Sequence, residues 1–120
     1  MDGRSPQGWI GVDLDGTLAE HTNNYQDDIV GKPIPRMLFR VRQWVSMGIE
    51  VRIFTARASN SNPHRDVSIK AIKKWCLLYV GQELTITAEK DFSMVSLWDD
   101  RAIQVESNTG RVRADGWKDE

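Results

Sequence analysis

The sequence predicts an α/β layer fold built on a mostly parallel sheet. Three observations carry that expectation. Short apolar stretches with the two-residue period of strands alternate along the chain with stretches at helical spacing. Glycine, proline and asparagine punctuate the boundaries between them. Acidic and hydroxyl residues recur at the carboxyl ends of the strand-like stretches, where ligands of such folds bind.

The first strand is expected over residues 9–14, apolar and small positions alternating between Gly8 and Gly16. Residues 19–35 are polar and hold Asn23, Asn24, Gly31, Pro33 and Pro35, which reads as a loop or small hairpin. From Arg36 the period changes: Met37, Val41, Trp44 and Val45 fall on one helical face, Pro35 opens the helix and Gly48 closes it. In "IEVRIFTAR" Ile49, Val51, Ile53 and Thr55 alternate as a second strand. Asn62 and Pro63 suit the cap and first turn of a helix carrying Val67, Ala71, Ile72, Trp75, Cys76 and Tyr79, ended by Gly81. Three more strands are expected at 84–87, 94–98 and 102–105, making about five, with right-handed crossovers. "NTGRV" then reads as a turn. The 120 residues fit a single domain, with a core over about 8–106 and a tail over 107–120.

Sixteen Lys and Arg against 17 Asp and Glu leave a formal net charge of −1, without the electrostatic footprint of a general nucleic-acid or anionic-membrane binder. The single cysteine, Cys76, allows no intrachain disulfide and suits a reducing compartment. "MDGRSPQG" lacks a basic-then-apolar leader pattern, and no apolar run approaches the roughly 20 residues of a membrane span. A cytoplasmic protein is expected.

The strand ends hold the chemistry. Asp13-Leu14-Asp15-Gly16-Thr17 ends the first, Thr55-Ala56-Arg57 the second, and Lys90-Asp91 and Trp98-Asp99-Asp100-Arg101 follow later. Like charges as close as Asp13 and Asp15 repel, and burying either unpaired costs several kcal/mol or raises its pKa. A cation is therefore expected, and oxygen-only ligands suit Mg²⁺.

In that order, "DLDGTL", a strand closing on Thr in "IFTAR", Lys90 and "LWDDR" resemble the four motifs of the haloacid dehalogenase superfamily of phosphotransferases, over roughly residues 9–105. The resemblance is nearest to small capless members found in bacterial and phage genomes. It implies a three-layer Rossmann-like fold and a Mg²⁺-dependent phosphomonoester hydrolase. Asp13 would be the nucleophile that becomes an aspartyl phosphate, and Asp15 the general acid and then base. The main-chain carbonyl of Asp15, a carboxylate oxygen of Asp13 and one of Asp99 and Asp100 would hold Mg²⁺; spacing does not decide between the last two. Thr55 would bond the transferring phosphoryl group, and Lys90 would restrain Asp13 and offset charge on the intermediate. Gly16 and Thr17 would make the tight turn that aims amides at the phosphate.

Each of these residues also has a plainer role. Thr55 can simply satisfy a strand end, and Lys90 beside Asp91 can be a surface pair. Arg57, His64, Arg65 and Arg101 are loop cations or ion-pair partners that could also bind substrate anions, Arg57 foremost. Cys76 reads as an inert buried thiol, and Trp44, Trp75 and Trp98 as core.

The stretches where larger relatives insert caps are short here. Capless members act on macromolecular or bulky phosphates, or borrow a neighbouring subunit as a lid, so a nucleotide, a nucleic-acid end or a phosphoprotein suits the site, and a homo-oligomer stays open. Nucleic acid enters only as substrate, and no membrane partner is expected. Two alternatives remain: a degenerate member kept as a binding or assembly module, and a receiver-like phosphoacceptor. In receivers the lysine follows the acidic pair, whereas Lys90 precedes Asp99 and Asp100.

Overall fold

In a computed structural model that describes residues 8–113, the chain forms β1 (Trp9–Val12), α1 (Pro35–Ser46), β2 (Glu50–Phe54), a short 3-10 turn (Ala56–Ala58), α2 (Arg65–Tyr79), β3 (Thr85–Thr87) and β4 (Met94–Trp98). The four strands lie in the order β3-β2-β1-β4, each parallel to its neighbours. The α/β class and the parallel sheet are as the sequence predicts. The expected strand at 102–105 is not formed. Ile103 and Val105 are exposed, and Val105 makes only an isolated antiparallel bridge to Val112 across the turn that follows. An apolar alternation forms a strand when it has a face to bury, and this one has none.

Local chemistry explains where the helices begin and end. Pro35 opens α1 with a preset φ, Met37 and Val41 bury its apolar stripe, and the chain leaves it through Gly48 at φ +80°. α2 begins later than the Asn62-Pro63 pair suggests. Asn62 Oδ1 accepts from the His64 amide at 3.0 Å, so the side chain closes a turn ahead of the helix rather than capping it, and His64 is the cap residue. Trp75 and Cys76 are buried as expected, and burial pushes the Cys76 thiol up to about 11, which keeps it unreactive at neutral pH. Trp98 is not core: it lies at the sheet edge, 37 % exposed, 5.2 Å from the Trp44 ring and under the Arg40 guanidinium.

Both helices feed one core. Val12, Val51 and Ile53 pack with Met37 and Val41 of α1 and Ile72, Trp75 and Cys76 of α2 in a single cluster. The third layer implied by the resemblance is thus missing among the described residues. β1, β2 and β3 step across the sheet in one direction, and right-handed crossovers place both intervening helices on one side. The return from β3 to β4 has only residues 88–93, too few for a helix of ordinary length. That segment crosses the other face, where the Trp9 indole donates to Asp91 at 2.8 Å and Arg52 stacks 4.4 Å from the Trp9 ring. No helix among the described residues is long and apolar enough to cross a membrane.

Candidate active site

The carboxyl end of β1 sits in the middle of the sheet, and the chain turns sharply there. The Asp13 amide donates to the Trp98 carbonyl at 2.9 Å, extending the β1–β4 ladder, and then Leu14, fully buried, anchors a tight turn. Its carbonyl accepts from the amides of Thr17, Leu18 and Ala19, and the Gly16 amide donates to Ala19. The Gly16 and Thr17 amides are therefore spent inside the turn rather than presented to an anion. What the two residues do is different. Gly16 takes φ +94°, and a Cβ there would lie 2.7 Å from Asp100 Oδ2, so both conformation and space require glycine. Thr17, buried, donates its hydroxyl to Asp100 Oδ1 at 2.8 Å and lies 3.3 Å from Asp13 Oδ2.

Asp13, Asp99 and Asp100 each offer a carboxylate oxygen within 4.8 Å of the others. Burial raises the Asp13 carboxyl, the Asp99 charge adds to it, and a hydrogen bond to Asp100 and its charge complete the rise to about 7. Burial also works against ionised Asp100, yet hydrogen bonds from Thr17 and Asp13 hold it below the usual carboxylate range. Of this pair of neighbours, Asp13 is therefore the carboxyl that keeps its proton to higher pH. Asp13, Asp99 and Asp100 are thus the residues that could hold a metal ion, as an all-oxygen donor set. Asp99 and Asp100 both bring a carboxylate oxygen to the cluster.

A cavity of about 580 Å³ opens beside this cluster, lined by Asp13, Asp15, Thr55, Arg57 and Asp99 but not by Asp100. Thr55 is buried; its Oγ1 accepts from the Arg57 amide at 3.2 Å, which leaves its hydroxyl hydrogen to donate into the cavity. Asp15 is gripped by Arg57 through both carboxylate oxygens at 2.9 Å. Lys90 is not brought in: it is exposed between β3 and β4 and does not line the cavity. Arg101 does line it. Arg65 instead donates to the Ala58 carbonyl, and His64 is exposed.

His21 and Tyr25, from the loop before α1, also line the cavity and are not singled out by any motif. The only signal for them is their place in the segment between the first strand and the first helix. That loop is fixed at its base by the Glu20 amide on the Lys32 carbonyl and by the Trp75 indole on the adjacent Gly31 carbonyl, both 2.8 Å.

The chain matches no protein-family model, and no curated protein or solved structure matches it. What defines its class is therefore its own fold and site: a parallel α/β sheet with a carboxylate cluster and a flanking hydroxyl beyond the strand ends.

Proposed function

We propose that this protein is a capless, Mg²⁺-dependent phosphomonoester hydrolase of the haloacid dehalogenase type, working through an aspartyl phosphate on Asp13. The observation that carries the reading is the convergence of Asp13, Asp99 and Asp100 within 4.8 Å, with Asp13, Asp99, Asp15 and Thr55 lining one cavity. Asp13 Oδ attacks phosphorus, the ester P–O bond breaks, and the leaving oxygen takes its proton from Asp15. Water then attacks the phosphorus, passing a proton back to Asp15, and inorganic phosphate leaves Asp13 free. Thr55 donates to a phosphoryl oxygen throughout. Mg²⁺, held by Asp13, Asp99 and Asp100, would supply neutralising charge for the cluster and the phosphoryl group. The open cavity suits a nucleotide, a nucleic-acid end or another bulky phosphate.

A second reading has one observation in its favour. Lys90, the expected stabiliser of the intermediate, does not line the cavity, which favours a binding or assembly module that keeps the cation site without turnover. Phosphate release from aryl, nucleoside, sugar and oligonucleotide phosphates, with Mg²⁺, with chelator and with Asp13→Asn, separates the two. Release that needs both Mg²⁺ and Asp13 supports the hydrolase; Mg²⁺ binding with no release supports the module.

A further inference from the structure

Arg57 stands where a phosphate-binding cation is expected, but its guanidinium has no hydrogen left to offer. The side chain is 6 % exposed. Nε donates to Asp15 Oδ2 and Nη2 to Asp15 Oδ1, each at 2.9 Å. Nη2 also donates to the Ile29 carbonyl at 3.0 Å, and Nη1 to those of Asp27 at 3.2 Å and Gln26 at 3.4 Å. A guanidinium has five N–H donors, and all five are used. The Tyr25 ring covers one face at 4.6 Å. To grip a phosphoryl oxygen, Arg57 would first have to release a partner it already holds.

We propose that Arg57 is the positioning residue of Asp15, which sets the carboxylate's orientation for proton transfer, and that it does not bind the substrate. The inference rests on the acid–base role of Asp15 proposed above. A side-on fork fixes the plane of a carboxylate, which a single contact does not. It occupies two of the carboxylate's roughly four lone-pair sites and leaves a further site to carry the proton that goes to the leaving oxygen and is later taken back from the attacking water. The carbonyls of residues 26–29 fix the far side of the guanidinium, so the fork cannot rotate with Asp15. This loop does not depend on Arg57 alone: Ser68 Oγ donates to the Asp27 carbonyl at 2.7 Å and the Trp75 indole to Gly31. Removing the guanidinium therefore disturbs Asp15 more than it disturbs the wall.

The chemistry gives a signature. When the ester bond breaks, its electron pair leaves on oxygen, and a weakly acidic alcohol needs the Asp15 proton far more than an acidic phenol does. The ratio kcat/KM covers steps up to the first irreversible one, so it isolates leaving-group departure from the later hydrolysis of the aspartyl phosphate. The test is kcat/KM with saturating Mg²⁺ for a series of aryl phosphates whose phenols span a wide range of acidity. Wild type is compared with Arg57→Lys, Arg57→Ala, Asp15→Asn and the Asp15→Asn/Arg57→Ala double variant, each checked for folding by circular dichroism. The expected result is a shallow dependence on phenol acidity in wild type and a steep one in both Arg57 variants. Their loss should be at least tenfold larger on the least acidic phenol than on the most acidic, and the double variant should be no worse than Asp15→Asn. Equal loss across the series, full recovery by Arg57→Lys, or additive losses in the double variant would overturn the positioning role while leaving the hydrolase intact. A wild type that releases no phosphate from any member would overturn both.

Discussion

Thr17 and Asp100, 83 residues apart in the chain, hold each other twice: the Thr17 hydroxyl donates to Asp100 Oδ1 at 2.8 Å, and the Asp100 amide donates to Thr17 Oγ1 at 2.9 Å. The pair closes the β1 turn onto the segment after β4 and sets the carboxylate cluster. Thr17→Val removes both bonds in a buried position and should destabilise the protein by about 1–3 kcal/mol, with Thr17→Ser close to wild type. Urea unfolding with and without Mg²⁺ checks it. Mg²⁺ should shift the midpoint of Thr17→Val less than that of wild type, because Asp100 is no longer held in place.

The proton on Asp13 makes metal-free stability depend on pH with a definite sign. Its carboxyl rises from 3.8 to about 7 on folding, so the folded chain binds the proton more tightly than the unfolded one between those values. The stability this supplies is complete below pH 3.8 and is lost as pH rises through about 7. Asp13→Asn should therefore stabilise the metal-free protein at pH 8 by about 1–2 kcal/mol, the shift being discounted for partial solvent access, and by little near pH 4. Calorimetry in buffers of different ionisation enthalpy should find nearly one proton released per Mg²⁺ bound at pH 6 and almost none at pH 8.

Gly16→Ala tests the close approach behind the cluster. It combines an L side chain at φ +94° with a Cβ 2.7 Å from Asp100 Oδ2. The expected cost is about 1–3 kcal/mol, with weaker Mg²⁺ binding because Asp100 has to move. Thermal unfolding and a metal titration of the same variant read the two effects separately.

Helices cover one sheet face and not the other among the described residues, which predicts unequal costs on the two faces. Ile53, fully buried under both helices, should lose about 2–5 kcal/mol as Ile53→Ala. Leu97 lies beside Gly11 and Trp9 on the other face, crossed among the described residues by 88–93, and is half-buried, so Leu97→Ala should cost about 1 kcal/mol. Equal costs in chemical denaturation would show that the second face is as well covered as the first.

What the sequence disclosed follows from how local each signal is. β1, α1, β2 and β4 were legible because Gly8, Pro35 and Gly48 mark boundaries and the apolar periods are unbroken between them. The fifth strand was misleading because 102–105 has strand periodicity but no partner to pair with along its length, which no local pattern reveals. That no helix covers the second face among the described residues was hidden in the brevity of residues 88–93. At the site, spacing found the acids and Thr55, since motif order constrains them. It could not find that the Gly16 and Thr17 amides close on Leu14 and Ala19, or that Arg57 spends its donors on Asp15 and three carbonyls of a loop about 30 residues earlier. Those partners are fixed by tertiary packing alone.

Phosphoryl transfer through Asp13, as proposed, is tested most directly by an acid quench. Wild type is mixed with a ³²P-labelled aryl phosphate and Mg²⁺, quenched within the first turnover, and the protein analysed by peptide mapping. The predicted result is an acid-stable, hydroxylamine-labile label on the peptide carrying Asp13, absent without Mg²⁺ and absent in Asp13→Asn. Phosphate released with no label on the protein, or a label on another residue, would contradict it.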